Sequence, residues 1–316
     1  MIELNKIYNE PCLETLQKMP DNYLDCVISS PPYWQLRDYG YPGQWGLEPT
    51  FNEYLENLWS LMDEIYRVLK PTGTVWINLG DTYGGNNSMA SFNGRAGFGY
   101  KRDEIVNRGI SKCLMLIPHR FAIGCIDRGW IMRNDIIWAK PNGMPESVTD
   151  RFTKKHEYFF FMVKSEKYFF DLDAIRDKVS QSSIERYRYE WNGNEDRSFT
   201  EGKQNNFKKF MSNEDAKNDA ILKGKNPGDV SDFWDIPTKP NRESHYAQYS
   251  DDLIKKPILA GCPEGGIIYD PFMGSGSTAE AAIRANRKFI GSEMSTNYVE
   301  ICNQRLKPYL QQTTLF

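Results

Sequence analysis

The chain has 316 residues, with 39 basic and 42 acidic side chains and a formal net charge of −3 at pH 7. That balance excludes a protein that coats nucleic acid through its net charge, although a local basic surface would not show in the sum. No apolar run is long enough to span a membrane and the N-terminus has no secretory pattern, so we expect a cytoplasmic protein without membrane contact. The six cysteines form no C-x-x-C pair, which predicts reduced, mostly buried thiols and no metal site.

The first part of the chain reads as strand, helix and strand. Residues 23–30 (YLDCVISS) are apolar and β-branched at their centre, which is typical of a parallel strand buried on both faces. The stretch after Thr50 carries an apolar stripe with a helical period, Glu53 completes a capping-box spacing, and Pro71 is expected to end the helix. Residues 74–81 (TVWINLGD) read as the next strand, and this order predicts a βαβ unit of a parallel sheet.

Two polar stretches interrupt the pattern. Residues 84–112 are rich in Gly, Asn and Ser without an apolar period, which predicts a functional loop that is mobile without its ligand. Between the two stretches, residues 117–129 read as a helix and residues 130–140 and 156–165 as strands. Residues 175–240 have few aliphatic side chains but several aromatic ones among their charges, which predicts an insertion with a modest core of its own.

The final stretch reads as strand, glycine turn, helix and a second strand that ends in an acid. Asp270, Gly274 and Gly276 lie where the first strand turns into the helix, and Glu293 follows 23 residues after Asp270. In nucleotide-binding βαβ units an acid about 20 residues after the turn accepts hydrogen bonds from a ribose diol. The pattern therefore predicts an adenosine-type ligand, and the alternative is a structural turn followed by an unrelated surface acid.

The glycine turn also limits which adenosine ligand it can hold. No G-x-x-x-x-G-K-[ST] motif is present, which excludes a phosphate-cradling P-loop, and the third glycine of the dinucleotide fingerprint is missing. These absences favour a ligand without a pyrophosphate, and S-adenosylmethionine fits with its adenine, ribose and charged amino-acid tail. Phe272 is a candidate for packing on the adenine or the sulfonium, and an ordinary core position is the alternative.

A stiff corner, Ser30-Pro31-Pro32-Tyr33, follows the first buried strand. Ligands of doubly wound sheets bind at the carboxyl ends of strands, so this corner and the glycine turn are expected to meet across one crevice. The proline carbonyls and the Ser30 hydroxyl can accept hydrogen bonds from an amino group, and Tyr33 offers a flat face for a base. We interpret the corner as a slot for a planar ring with an exocyclic NH₂, which implies base flipping; a rigid structural loop is the alternative.

Together these motifs resemble the β class of S-adenosylmethionine-dependent DNA amino-methyltransferases. Ser30-Pro31-Pro32-Tyr33 resembles the family's [SDN]-P-P-[YFW] motif, DPFMGSGST its cofactor loop, and GSEMS its acidic strand end. The resemblance implies an α/β fold, a doubly wound mostly parallel sheet of Rossmann-like methyltransferase type with circularly permuted motif order and a polar target-recognition insertion. It implies a catalytic half at 1–174, the target-recognition insertion at 175–240 and a cofactor-binding half at 241–316.

The resemblance also assigns roles to residues of this chain. The catalytic residues it implies are Ser30, Pro31, Pro32 and Tyr33. The cofactor-binding residues it implies are Asp270, Pro271, Phe272, Gly274, Gly276, Ser277, Glu293 and His245. One departure is visible: relatives often read D-C-L-E near the N-terminus, whereas Pro11 stands here in place of the acid, so Glu10 substitutes for it or the adenine contact is absent.

The implied reaction is methyl transfer to the exocyclic N4 of a flipped cytosine, because a serine at the first motif position resembles N4-cytosine enzymes. The alternatives are an N6-adenine DNA methyltransferase, an RNA or protein methyltransferase, a silent DNA-binding module and a NAD-type oxidoreductase. Expected partners are double-stranded DNA and a cognate restriction endonuclease, with a monomeric or homodimeric enzyme. The candidate DNA contacts are Arg95, Lys101, Arg102, Arg186, Arg188, Lys208 and Lys209.

Overall fold

The computed structural model describes residues 2–85, 109–188, 213–224, 230–238 and 251–312. The chain divides into two compact units, a larger one made of Met1–Phe170 with Asp232–Phe316 and a smaller one made of Asp171–Ser231. Both motifs that the sequence singled out belong to the larger unit.

The larger unit is built on one eight-stranded sheet. Its strands lie in the order β1-β8-β7-β2-β3-β5-β4-β6, and β5 runs antiparallel to both of its neighbours while the other pairs are parallel. The predicted doubly wound, mostly parallel sheet is therefore confirmed. The strands are β1 Lys6–Tyr8, β2 Leu24–Ser29, β3 Leu69–Leu79, β4 Ile131–Ala139, β5 His156–Val163, β6 Phe233–Asp235, β7 Ile267–Asp270 and β8 Lys288–Ser292.

Helices connect these strands and cover the sheet. In the larger unit they are α1 Cys12–Gln17, α2 Phe51–Val68, α3 Ile117–Asp127, α6 Asp251–Gly261, α7 Ser277–Arg284 and α8 Thr296–Gln312. The two described α-helices of the smaller unit are α4 Gln181–Arg188 and α5 Glu214–Lys223. Two buried apolar clusters surround the sheet, and β2 is buried at all six positions, as expected for a central parallel strand.

Helix α2 starts as predicted but ends earlier. The Thr50 hydroxyl accepts a hydrogen bond from the Glu53 backbone N–H at 3.2 Å, which caps the helix start. The helix ends at Val68 because Leu69 is already extended and pairs with Leu24 of β2. Pro71 therefore lies within β3 rather than at the helix end, and β3 begins before the predicted residue 74, with an irregular register between Leu24 and Cys26.

Charged side chains pair with one another within the described part of the smaller unit. Arg176 pairs with Asp173 at 2.5 Å and with Asp219 of α5 at 3.6 Å, and Lys217 is buried and pairs with Glu214. The target-recognition insertion at 175–240 stays a prediction.

Two further sequence expectations concern cysteines and membranes. All six cysteines are free thiols, five of them buried and Cys113 exposed, which confirms the prediction of reduced and mostly buried thiols. Within the described residues, no helix has the length and apolarity that crossing a bilayer requires.

Candidate active site at the carboxyl ends of the strands

The proline corner and the glycine turn meet at one edge of the sheet. Strands β2 and β7 are parallel neighbours, and Val27 lies beside Tyr269 in their register. At their carboxyl ends the Ser29 hydroxyl donates a 2.7 Å hydrogen bond to Asp270 Oδ1. The two motifs, which are remote in sequence, are therefore joined by a direct side-chain bond at the edge where ligands of such sheets bind.

The glycine turn is anchored from beneath by Asp270. This carboxylate is 1% exposed and accepts hydrogen bonds from the Thr278 hydroxyl at 2.5 Å and the Phe272 backbone N–H at 3.0 Å. Gly274 and Gly276 have φ values of +54° and +88°, a left-handed backbone that favours glycine. Pro271 is buried beside them, and Ser277 begins α7. Asp270 thus fixes the shape of the turn from inside the protein.

Glu293 faces the same turn from the end of β8. Its carboxylate accepts hydrogen bonds from the Gly274 N–H at 2.9 Å and the Ser295 N–H at 2.8 Å. Asn9 holds the neighbouring backbone, since its amide donates to the Glu293 carbonyl at 2.8 Å. Burial raises the pKa of Glu293, while the backbone hydrogen bonds oppose the shift. The carboxylate therefore lies within reach of a ligand held against Gly274.

An aromatic segment that the sequence analysis missed borders the turn. Trp45 packs on Phe272 with ring centroids 5.3 Å apart, and a Cβ added to Gly43 would lie 3.5 Å from Met294. Burial and the Glu293 carboxylate both raise the pKa of Tyr41. Phe272 thus contacts another aromatic ring and is only half-buried. The glycine-interrupted run DYGYPGQW, just after the proline corner, is the sequence signal that marks this segment.

The proline corner carries a network of polar side chains. Tyr33 donates from its hydroxyl to Glu157 Oε2 at 2.8 Å and lies 2.9 Å from Asn78 Oδ1. Ser30 Oγ lies 3.3 Å from the same Asn78 oxygen. Burial, and next the Glu157 carboxylate, raise the pKa of Tyr33 well above its usual value, so the phenol keeps its proton. The ring of Tyr33 lies against Gly80, where an added Cβ would come within 2.6 Å of it.

The two proline carbonyls of the corner are not equivalent. The Tyr54 hydroxyl of α2 donates to the Pro32 carbonyl at 2.8 Å and so occupies one of the two lone pairs of that oxygen. The expectation that both carbonyls accept from an incoming amino group stays a prediction. No donor reaches the Pro31 carbonyl from within the described ranges. Tyr54 thus contacts the Pro32 carbonyl and not the Pro31 carbonyl. This contact depends on how α2 packs behind the corner, which local sequence does not reveal.

Two lysines complete the polar side of the corner. Lys140 pairs with Glu157 and lies over the Trp138 ring at 4.1 Å. Lys154 donates to the Asp81 carbonyl, and burial lowers the pKa of its ammonium group. Lys140 ends the first of the two strands predicted at 130–140 and 156–165, and Lys154 lies in the segment between them; the sequence analysis gave neither lysine a role.

Pro11, which stands where relatives often have an acid, lies at the start of the first helix. Pro11 occupies the position before α1, and the Glu10 carboxylate accepts from the Thr15 hydroxyl at 2.8 Å and pairs with Lys18. Glu10 is therefore engaged with α1 itself, and its substitution for the missing acid stays a prediction.

Several predicted contacts fall outside the described part of the chain. These are His245, Arg95, Lys101, Arg102, Lys208 and Lys209, together with the side chain of Arg186. Arg188 is described and is exposed at the end of α4. The segment predicted as a mobile loop is described only at its ends, where Tyr83 bridges Leu114 and the Gly84 N–H donates to the Cys113 carbonyl at 2.8 Å.

Comparison with known families places this arrangement. A family model described as "DNA methylase", named for N6 and N4 methyltransferases, matches residues 24–304. The chain belongs to this DNA methylase family. Type II methyltransferase M.Cfr9I of Citrobacter freundii is 32% identical over 97% of this chain and 89% of its own length. M.SmaI of Serratia marcescens is 32% identical over 93% of this chain and 87% of its own length.

Solved structures agree on the fold of this DNA methylase. The cytosine-N4-specific PvuII DNA methyltransferase superposes with a TM-score of 0.61 at 17% identity, covering 97% of this chain and 91% of its own. A putative DNA modification methylase of Thermus thermophilus, solved in complex with S-adenosyl-L-methionine, gives a TM-score of 0.57 at 20% identity, covering 96% of this chain and 95% of its own. These neighbours share the Rossmann-like fold that the sequence predicted. Membership of the family makes the chain an S-adenosylmethionine-dependent DNA methyltransferase.

The described residues fit this cofactor chemically. Glu293 offers a buried carboxylate for a ribose diol, and Gly274 offers a turn without a side chain beside it. Trp45 and Phe272 supply an aromatic edge to the same turn. A carboxylate, a glycine cradle and aromatic rings suit an adenosine that carries no pyrophosphate.

The raised pKa of Glu293 leads to a testable pH dependence. A carboxylate accepts hydrogen bonds from ribose hydroxyls better than a protonated carboxyl, so affinity for S-adenosylmethionine will fall as the pH drops through the raised pKa. The stability of the free protein depends on pH in the opposite direction from the cofactor affinity. The raised pKa of Glu293 contributes stability that is present below the ordinary glutamate pKa and is lost as the pH rises through the raised value.

Calorimetric titration with S-adenosylmethionine from neutral pH down to the ordinary glutamate pKa measures this dependence. The wild type is expected to lose affinity towards the acidic end, and Glu293→Ala to bind weakly with a flatter profile. A wild-type affinity that stays constant over this range would contradict the role given to the carboxylate.

Proposed function

We propose that this enzyme transfers the methyl group of S-adenosylmethionine to the exocyclic N4 of a cytosine that is flipped out of duplex DNA. The observation that carries the proposal is the bond from Ser29 to Asp270, because it joins the amino-group slot after β2 to the cofactor turn after β7. The target base must leave the helix to enter a slot at the end of a buried strand.

The chemistry requires an amino nitrogen whose lone pair is drawn out of the ring. Ser30 Oγ and the Pro31 carbonyl are the acceptors of the corner that take no hydrogen bond from any described donor. We therefore assign them the hydrogen bonds from the two N–H groups of the target amino group. Holding both hydrogens favours a tetrahedral nitrogen with its lone pair directed out of the ring plane. The cofactor supplies an activated methyl group, and the protein contributes positioning and electrostatic stabilisation of the positive charge that grows on nitrogen.

The choice of cytosine over adenine rests on two supports. Serine stands at the first position of the motif, as in N4-cytosine enzymes, and PvuII methyltransferase, described as cytosine-N4-specific, shares the fold over nearly the whole chain. The N6 of adenine would meet the same acceptors, so N6-methyladenine is the rival outcome.

Recognition of a DNA sequence is assigned to the smaller unit and its flanks, the predicted insertion 175–240. Its candidate contacts include Arg186 and Arg188, and those in the predicted loop include Arg95. The relatives M.Cfr9I and M.SmaI are Type II methyltransferases, and we extend their context to a cognate restriction endonuclease as a partner of this chain. His245 is assigned to the cofactor's methionine side.

A label-transfer assay tests the proposed activity. Purified protein is incubated with S-adenosylmethionine carrying a labelled methyl group and with unmethylated genomic DNA, total RNA or a protein extract. Label in DNA alone is expected, and Ser30→Ala, assayed alongside, should lose most of it. Label that enters RNA or protein in preference to DNA, or no transfer at all, would overturn the proposal.

A further inference from the structure

A serine at the head of the slot poses a problem that Asp or Asn at that position does not. A hydroxyl can donate or accept, and an amino group needs an acceptor. If the Ser30 proton pointed at the base, two donors would face each other. The oxygens of a carboxylate or an amide carry no proton and need no such control. The surroundings of Ser30 must therefore decide where its proton goes.

Asn78 is oriented by its own neighbours. Its Nδ2 lies 3.0 Å from the Tyr158 carbonyl, which can only accept, so this atom is the amide nitrogen and Oδ1 is the oxygen that faces the slot. The side chain is 1% exposed and lies on β3, where it pairs with Phe159 of β5. Its oxygen is thus held rigidly, 3.3 Å from Ser30 Oγ.

Tyr33 competes for the same oxygen but has a stronger acceptor. Its hydroxyl lies 2.8 Å from Glu157 Oε2 and 2.9 Å from Asn78 Oδ1, whereas Ser30 Oγ is 3.4 Å away from it. A single phenolic proton goes preferentially to the carboxylate, since charge-assisted hydrogen bonds are the stronger ones. Lys140 pairs with the other oxygen of Glu157. Asn78 Oδ1 is thereby left without the phenolic proton. At 3.3 Å it is the nearer of the two acceptors within reach of the Ser30 hydroxyl, since the Tyr33 hydroxyl oxygen lies 3.4 Å away.

We propose that Asn78 is a positioning residue that holds the hydroxyl proton of Ser30, so that the serine oxygen meets the target amino group as an acceptor. Glu157 supports it by taking the Tyr33 proton. The bond of 3.3 Å is long for O–H···O, so it directs the proton and adds little to stability. This inference rests on the proposed methyl transfer and holds for either base.

A double-mutant cycle tests it. Methylation rates on unmethylated DNA are measured for the wild type, Ser30→Ala, Asn78→Leu and the double variant, together with the cofactor Kd and the melting midpoint of each. Asn78→Leu is expected to lower kcat at least tenfold with a cofactor Kd within about twofold of the wild type. In the Ser30→Ala background the same substitution is expected to change kcat by less than about threefold, because no proton remains to be held.

Two further variants keep the test decisive. In a Ser30→Asp background, where the acceptor carries no proton, Asn78→Leu is again expected to have only a small effect. If Asn78→Leu does not fold, Asn78→Ser, which is too short to reach Ser30, replaces it in the same cycle. Equal fold-losses from the Asn78 substitution in all backgrounds would show an independent structural role and overturn the inference. A wild-type enzyme that labels no DNA would instead refute the proposed function before any variant is compared.

Discussion

Alanine in place of Ser30 will lower the methyl-transfer rate by about 100-fold and leave the affinity for S-adenosylmethionine within about twofold. The hydroxyl oxygen lies in the slot with no described donor to it, and its loss removes an acceptor that is used most as positive charge develops on the target nitrogen. A loss of about 100-fold corresponds to about 2.7 kcal/mol of transition-state stabilisation. Single-turnover methylation and calorimetric cofactor binding measure the two effects separately.

The adjacent serine provides a matched control. Ser29 is buried and donates to Asp270 beneath the glycine turn. Ser29→Ala leaves this carboxylate with one donor fewer and is expected to cost about 1–2 kcal/mol of stability and several-fold in cofactor affinity. Ser30→Ala should thus lower the methyl-transfer rate, whereas Ser29→Ala should lower cofactor affinity and stability. Loss of cofactor affinity in Ser30→Ala, or a pure rate effect in Ser29→Ala, would contradict this division.

Alanine at Gly276 will destabilise the protein by about 2–5 kcal/mol and abolish measurable cofactor binding. The residue has a φ of +88°, which costs a non-glycine residue about 1–2 kcal/mol. The added Cβ would also lie 2.2 Å from Cys302 Sγ of α8, a fully buried side chain, and such overpacking costs about 1–3 kcal/mol. Denaturant unfolding and cofactor titration measure both losses.

Two variants separate the causes of this loss. At Gly274 an added Cβ has nothing nearer than the Phe272 carbonyl oxygen at 4.0 Å, so Gly274→Ala should cost only the backbone strain and lose cofactor affinity more than stability. In Gly276→Ala, a second change of Cys302→Ala removes the clashing sulfur and should restore part of the stability, with the remaining Cβ at 3.3 Å. Equal stability losses at Gly274 and Gly276 would contradict the packing argument.

The strands and motifs that define the fold could be predicted because each is marked by residues that are adjacent in sequence. The apolar stretch before Ser30 and the strand before Asp270 are short, β-branched runs, and turn residues mark their ends. The rule that ligands bind at the carboxyl ends of parallel strands then placed the two motifs together, and the bond from Ser29 to Asp270 bears this out.

The contacts that were missed are all set by pairing between distant elements. Glu157 reaches Tyr33 only because β5 runs antiparallel beside β3, and a separation of 124 residues carries no periodic signal. The Tyr54 hydroxyl takes the Pro32 carbonyl because of how α2 packs behind the corner. Periodicity predicts which face of an element is buried, whereas register and packing against remote elements decide which polar atoms meet.

The early start of β3 shows the same limit at an element boundary. Proline inside a strand is normally confined to edges or irregular positions, so Pro71 favoured a helix end. In the structure an irregularity in the register between β2 and β3 accommodates it, and Leu69 already pairs with Leu24. A tertiary pairing overrode a local rule.

Nucleoside mass spectrometry of DNA from cells that express this chain, in a host free of other DNA methyltransferases, tests the central claim most directly. The account predicts N4-methylcytosine in the DNA of cells with the wild-type chain and far less of it with Ser30→Ala. N6-methyladenine in its place, or DNA without either modified base from cells that contain folded protein, would contradict it.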